Sequence, residues 1–439
     1  MKKIIISLLI LIGGIFGSTM VLFPQEVTDE KTILVELIRE ALDRNPQLQA
    51  AKDEWLASLQ AVPQAKSLPD PMLSYSYFGQ SIETRLGPQR NKISLSQKLP
   101  FFGKLSLKGK IAESTASVFK EQYKAVEADI VLKVKTAYLS LYWFDEALDI
   151  NKEEREVLKR LAKIAEKKYE TGDASQQDVL KAQLEISRIT DKILLLEQGR
   201  RSVVAELNAL LNRPPDLRLG KPEDISLAEF EIDLEELYET ARKERPEMRE
   251  VRYQIERNEK KLKLAKKNFF PDLQVMFDYI DIGEGTTSHP DDGRNAWMGS
   301  IGINIPLWRQ KLRAAEAEAT IKLKASQENY ENMENETLSR VNELFFEVKT
   351  AQDQVKLYKY SLLPQAEQAL KASEVGYLAG KVDFLSLLDS ERMVLQLKIG
   401  YFKAAIDFEK SLARLERVLG KELPRGPDKI DHPTDTGGY

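Results

Sequence analysis

The chain has 439 residues, of which 42% are hydrophobic, enough to supply a sizeable core. Its 65 Lys and Arg nearly balance 69 Asp and Glu, and a net charge of −4 gives no ground for a nucleic-acid partner. Cysteine is absent, which excludes disulfides, thiolate metal sites and an acylated N-terminal cysteine.

The first residues, MKKIIISLLILIGGIFGSTM, place two lysines before an apolar run from Ile4 to Phe16 and then small residues. That is the layout of a secretory signal peptide, assigned here to residues 1–24 with the cut between about 18 and 25. The run is shorter than the roughly 18 apolar residues of a spanning helix. Nothing further along supplies a transmembrane helix, so an exported chain that enters a membrane must do so with strands.

Beyond the leader the chain repeats itself with a period near 200, in halves at 25–211 and 246–424 joined by a linker at 212–245 and followed by a tail at 425–439. LVELIREALDRNP (34–46) aligns with DLEELYETARKERP (233–246), and LPDPMLSYSYF (68–78) faces FPDLQVMFDY (270–279). ISLSQKLPFFGKL (93–105) answers SIGINIPLWRQKL (300–312), so that Pro100 matches Pro306 and Gly103 opens the first long helix. KKYETGDASQQDVL (167–180) answers EVGYLAGKVDFLSLL (374–388), and Tyr169 and Gly172 meet Tyr377 and Gly380. Each half therefore reads helix, strand, strand, long helix, turn, helix.

Strands are expected at about 72–78, 92–99, 272–280 and 297–305, and long helices at about 103–169 and 309–377, the second kinked at Pro364. Each long helix would run about 100 Å at 1.5 Å per residue. The shorter helices at about 46–67 and 174–211, and at 246–269 and 382–419, together match that length. A hairpin at Gly172 or Gly380 folds one of them back along the long helix, because glycine takes the left-handed C′ conformation without a Cβ penalty. Ser175 or Asp173 would cap the outgoing helix in the first half and Asp383 in the second.

The strands alternate. Leu73, Tyr75 and Tyr77, then Ile93, Leu95 and Leu99, then Leu273, Val275, Phe277 and Tyr279, then Trp297, Ile301 and Ile303 share one apolar face, with Gln97 the exception. The other face is mostly Ser, Lys, Asn and Asp. This is the lipid-out, lumen-in pattern of a transmembrane β-barrel, with Tyr77, Tyr279 and Trp297 as interfacial aromatics in contact with outer-membrane lipid. A half-buried soluble sheet has the same alternation. Four strands cannot close a barrel, and an open edge in lipid leaves backbone groups unpaired, so further copies must complete it: a dimer at least, twelve strands in a trimer. The segments 78–91 and 278–297 read as outward-facing loops.

Catalytic chemistry is not legible. His289 and His432 stand apart, without a second ligand at metal spacing, and there is no phosphate-binding glycine loop. No cofactor, metal site or enzymatic activity is expected; the chain reads as a conduit without its own energy source.

Together the leader, the duplicated half, the Leu99-Pro100 to Gly103-Lys104 junction and the Tyr-x-x-Gly turns resemble the TolC-like outer-membrane efflux proteins over about 30–420. The resemblance implies a mainly α fold with a small transmembrane β part: a homotrimer whose twelve-strand barrel lies in the outer membrane and continues as a tunnel of helices into the periplasm. It implies docking on an inner-membrane pump through a periplasmic adaptor, with the turns at Tyr169, Gly172, Tyr377 and Gly380 as adaptor contacts and 212–245 as a mid-tunnel belt. The family's gate positions, six and nine residues past the second glycine, hold Ser386 and Asp389, and the family's Tyr–Asp pair maps to Tyr377 and Asp178. The arginine expected two residues past that glycine is Val382. The export of small drugs or metal ions, the duct of a protein secretion system, and a periplasmic coiled-coil protein are the three readings carried forward.

Overall fold

The computed structural model describes residues 32–424 except 226, 228–229, 232 and 286–289, so the expected leader and tail lie outside the described residues. The first half comprises α1 (Leu34–Arg44), α2 (Pro46–Lys66), β1 (Met72–Thr84), β2 (Gly87–Leu99), α3 (Lys104–Glu170) and α4 (Gln176–Leu210). The second comprises α5 (Leu234–Glu244), α6 (Pro246–Lys267), β3 (Leu273–Ile282), β4 (Ala296–Ile303), α7 (Arg309–Leu357), a π turn (Tyr358–Leu362), α8 (Leu363–Leu378) and α9 (Phe384–Leu419). The result is mainly helical with four strands, as the sequence implied.

Local chemistry sets the boundaries. α1 stops at Asn45 because Pro46 follows, and the Asn45 side chain then caps α2 by accepting from the N–H groups of Gln47 and Leu48 at 3.0 and 3.2 Å. Arg245-Pro246 breaks α5 from α6 at the same place in the second half. α3 runs 67 residues because nothing between Lys104 and Glu170 interrupts it. It is the spine, with α2, α4, α6 and α9 packed along it. Apolar cores form where these helices meet, one around Leu344, Tyr401 and Phe408 and another around Leu161, Ile193 and Leu388.

Two expectations are corrected. The irregularity expected at Pro364 is not the proline's alone: one turn before it, Tyr358–Leu362 adopts a π turn within an otherwise continuous helix, and the wider turn accommodates a residue that has no N–H to donate. The wide turn faces Gly400 of α9, where a Cβ would come within 2.8 Å of the Tyr358 ring. The segment 78–91 is not an open loop either. β1 and β2 are each 13 residues long and close at a tight turn around Arg85 and Leu86, with a register shift between Tyr77 and Ile82. Gly87 allows this at φ 118°; a Cβ there would lie 2.0 Å from the Gly283 carbonyl. The tips of the two hairpins are thereby fastened together, Gly283 N–H donating to Pro88 O at 2.8 Å and Gly293 N–H to Leu86 O at 2.7 Å.

The strands form one antiparallel sheet in chain order, β1-β2-β3-β4. Register puts Tyr75, Ile93, Tyr279 and Trp297 in one row across all four strands, and Gln97, Val275 and Ile301 in another. This apolar face is bare: Leu73, Tyr77, Trp297 and Ile301 are 71–78% exposed. On the other face Ser94, Ser96 and Asp278 are buried, Ser94 Oγ donating to Asp278 at 2.5 Å with Lys92 Nζ 3.2 Å from the same carboxylate. A soluble sheet hides its apolar face; this one leaves that face bare and buries polar residues of its two central strands. No helix among the described residues is long and apolar enough to cross a membrane.

Candidate functional site at the junctions and the hairpin tips

Two regions carry the sequence-marked residues. At the strand-to-helix junction Pro100 ends β2 and Gly103 caps α3 at φ 83°. Lys104, buried, donates to Phe270 O at 2.8 Å and to Asp272 Oδ1 at 2.7 Å, and Phe101 N–H reaches the same oxygen at 2.9 Å. Phe101 stacks on Phe270, centroids 4.8 Å apart. The first-half junction is thus locked onto the second half by Asp272, whose carboxyl is held below the usual range by Lys104 and the Phe101 amide against the opposing effect of burial. Pro306 lies in the extended link from β4 to α7 beside Leu307 and Trp308, which are 72% and 79% exposed.

At the opposite end of the helices lie the tips. Gly172 and Gly380 have φ 82° and 71°, and both turns close alike: Asp173 N–H donates to Lys168 O at 2.8 Å, and Lys381 N–H to Gly376 O at 2.8 Å. The outgoing helices are capped as their sequences suggested. Ser175 N–H donates to Asp178 Oδ2 at 3.2 Å, and Ser386 N–H to Asp383 Oδ1 at 2.7 Å.

The structure brings some of the marked side chains together and keeps others apart. Tyr377 is 6% exposed, its ring 5.4 Å from Phe384, and burial together with nearby Asp178 raises its phenol pKa. Its hydroxyl has no hydrogen-bond partner among the described residues, so the expected bond to Asp178 is not made; that carboxylate is turned to the cap of its own helix. Tyr169 is 47% exposed at the tip. Asp389 is not a bare charge at the mouth, since Arg392 Nη1 holds it at 2.9 Å.

Four tip residues were missed by sequence reading. Lys168 donates to Tyr377 O at 2.8 Å and sits 4.3 Å from the Tyr377 ring centroid, tying α3 to α8. Arg392 of α9 grips Glu185 of α4 with two bonds, 3.1 and 2.5 Å, while Arg188 adds a third at 2.9 Å. Their only sequence signal was helical charge spacing, and the partners that matter lie on other helices.

Arg392→Met is expected to loosen the tip by about 2 kcal/mol, less than a fully buried pair because Arg392 is 38% exposed and Arg188 still reaches Glu185. Amide exchange over residues 384–392 should then speed up roughly 30-fold while protection along the rest of α3 is unchanged. Unchanged protection would show that this ion pair does not fasten α4 to α9.

The outer membrane efflux protein family matches residues 37–213 and 237–421. The cobalt-zinc-cadmium resistance protein CzcC of Cupriavidus metallidurans is 24% identical over 412 residues, 92% of this chain and 94% of that protein. Outer membrane protein TolC of Salmonella enteritidis is 19% identical over 432 residues, covering 90% of this chain and 87% of its own. Among solved structures, CusC, described as forming a transmembrane channel, superposes with a TM-score of 0.75 at 19% identity over 88% of this chain and 92% of its own.

Proposed function

The chain belongs to the outer membrane efflux protein family, and we propose that three copies form the exit duct of a tripartite efflux system, a passive channel rather than an enzyme. In this reading the strands complete a twelve-strand barrel in the outer membrane of a Gram-negative-type bacterium, and the helices continue it through the periplasm to an adaptor and an inner-membrane pump.

One observation carries the reading: a sheet whose apolar face is bare, whose central polar residues Ser94, Ser96 and Asp278 are buried, and whose β1 and β4 edges pair with no other strand among the described residues. Lipid covers such a face and neighbouring copies pair such edges. A periplasmic coiled-coil protein has no use for either. From Ile93 to its end at Leu99, β2 rises roughly 20 Å at about 3.3 Å per residue, and a tilt of about 40° turns this into close to 15 Å of bilayer depth.

The tips are the gate and the docking point in this proposal. Asp178, Tyr377, Ser386 and Asp389 line the periplasmic mouth, and the turns at Tyr169, Gly172, Tyr377 and Gly380 meet the adaptor. Exposed apolar residues there, Leu180, Leu184, Val375 and Leu378 at 51–65%, leave surface for neighbouring copies and for that partner. Small drugs or metal ions are the cargo, and the likeness to a metal-resistance protein supports the second.

Purified protein should give trimers and discrete conductance steps in planar bilayers, and deletion in the host should raise sensitivity to drugs or metal ions. Loss of one secreted protein with normal drug and metal tolerance would transfer the duct to secretion, and a water-soluble monomer would end the channel reading.

A further inference from the structure

Charge is distributed unevenly along this molecule. The three stretches that leave the sheet read KLPFFGKLSLKGK (98–110), KKLKLAKK (260–267) and RQKLR (309–313), and together they hold twelve basic residues and no acidic one in a chain whose net charge is −4. All lie within about 10 Å of the helix ends nearest the strands, at 1.5 Å per residue. The far end of the sheet is different: the hairpin segments 83–94 and 278–294 carry both signs.

Part of this charge has an internal task, and the remainder does not. Lys98 and Lys104 pair with Asp272, Lys267 donates to Phe102 O, and Lys260 pairs with Glu256. Lys263, Lys266, Arg309, Lys311 and Arg313 are exposed and form no ion pair among the described residues. Lys261 has Arg257 and Lys322 as neighbours, and burial together with that repulsion lowers its pKa. Directly above it sits an exposed apolar rim: Phe102, Leu307 and Trp308 at 82%, 72% and 79%, with Ile305 at 66%.

We propose that this collar binds the anionic phospholipid headgroups of the membrane leaflet on the helix side, Phe102, Leu307 and Trp308 entering the acyl boundary while Lys263, Lys266, Arg309, Lys311 and Arg313 meet the phosphates. The inference rests on the reading that the strands cross a membrane. Its physical basis is that aromatic side chains settle at the headgroup level, and that cations within one Debye length of an anionic surface are each attracted to it. Only one boundary of the barrel would then discriminate among lipids. The pairing of hydrocarbon rim with a one-sign band singles out a lipid over a soluble anion, which has no use for the rim.

The test uses purified full-length trimers in detergent, titrated with dioleoylphosphatidylglycerol or dioleoylphosphatidylcholine and read by native mass spectrometry for retained lipid. Phosphatidylglycerol should bind at least roughly tenfold more tightly, with an affinity that falls as salt rises. Lys263→Gln, Lys266→Gln, Arg309→Gln, Lys311→Gln and Arg313→Gln in one chain should abolish the preference and leave conductance in planar bilayers intact. Should that variant fail to assemble, the salt titration of the native trimer still decides. Equal affinity for the two lipids, or no salt dependence, overturns the inference while a conducting native trimer keeps the duct. A native protein that neither inserts nor conducts overturns both.

Discussion

Val275→Arg should eliminate trimers from the outer membrane. Val275 lies on the bare face in the row with Gln97 and Ile301, halfway between the row of Tyr279 and Trp297 and the aromatics of the junction. That is the middle of the apolar band, where Arg costs about 2–4 kcal/mol. Three copies multiply the penalty in one barrel to something on the order of 6–12 kcal/mol, comparable with the entire stability of an ordinary domain. Its neighbour supplies the control. Gln274 points to the opposite, polar face, so Gln274→Lys should assemble normally. Heat-modifiable trimers in outer-membrane fractions report the outcome. Equal assembly of the two variants would mean that the face containing Val275 does not meet lipid, and the barrel would have to be abandoned.

The elements that could be read from sequence are those fixed by local rules. The first long helix is set by the absence of proline, the tips by glycines at positive φ, and the breaks between α1 and α2 and between α5 and α6 by Pro46 and Pro246. Gln97 broke the apolar alternation of β2 in the sequence; the structure accounts for it by turning its amide to Pro69 O and Lys98 O, at 2.8 and 2.9 Å. What could not be read depends on distant chain segments. The hairpin at 78–91 is ordered because Gly87 is pressed against Gly283, nearly two hundred residues away. Tyr377 and Asp178 were paired by family position, yet within the chain Tyr377 takes Lys168 and Phe384 as its neighbours. Asp389 and Glu185 look like ordinary helix-surface acids until the packing of α4 and α9 puts Arg392 between them. Periodicity places a residue on a face, whereas tertiary packing chooses its partner.

The most consequential buried charge lies above the tips, where α9 passes α3. Glu391 is 4% exposed and, like half-buried Glu154 of α3, forms no ion pair among the described residues. Burial pushes Glu391 up to about 7, aided by Glu374 of α8 and opposed by Lys398 and Arg160. Burial and the proximity of Glu391 push Glu154 up to about 8, with Glu153 adding to the rise and Lys398 opposing it. Both groups therefore hold their protons more tightly folded than unfolded, where they titrate near 4.5. Their stabilising contribution is complete below pH 4.5, declines as the unfolded chain ionises above it, and is lost as pH rises through 7 to 8. For Glu391 the difference at pH 8 is on the order of 3 kcal/mol. Glu391→Gln keeps the shape and removes the charge, so it should match the native protein at pH 4.5 and unfold several degrees higher at pH 8. Thermal unfolding of the purified trimer at pH 4.5, 6 and 8 makes the comparison. A native midpoint that does not fall between pH 4.5 and 8, or a Gln variant less stable than the native protein at pH 8, would show that this carboxylate is ionised and satisfied in the folded tunnel, and the packing of α9 on α3 would need another account.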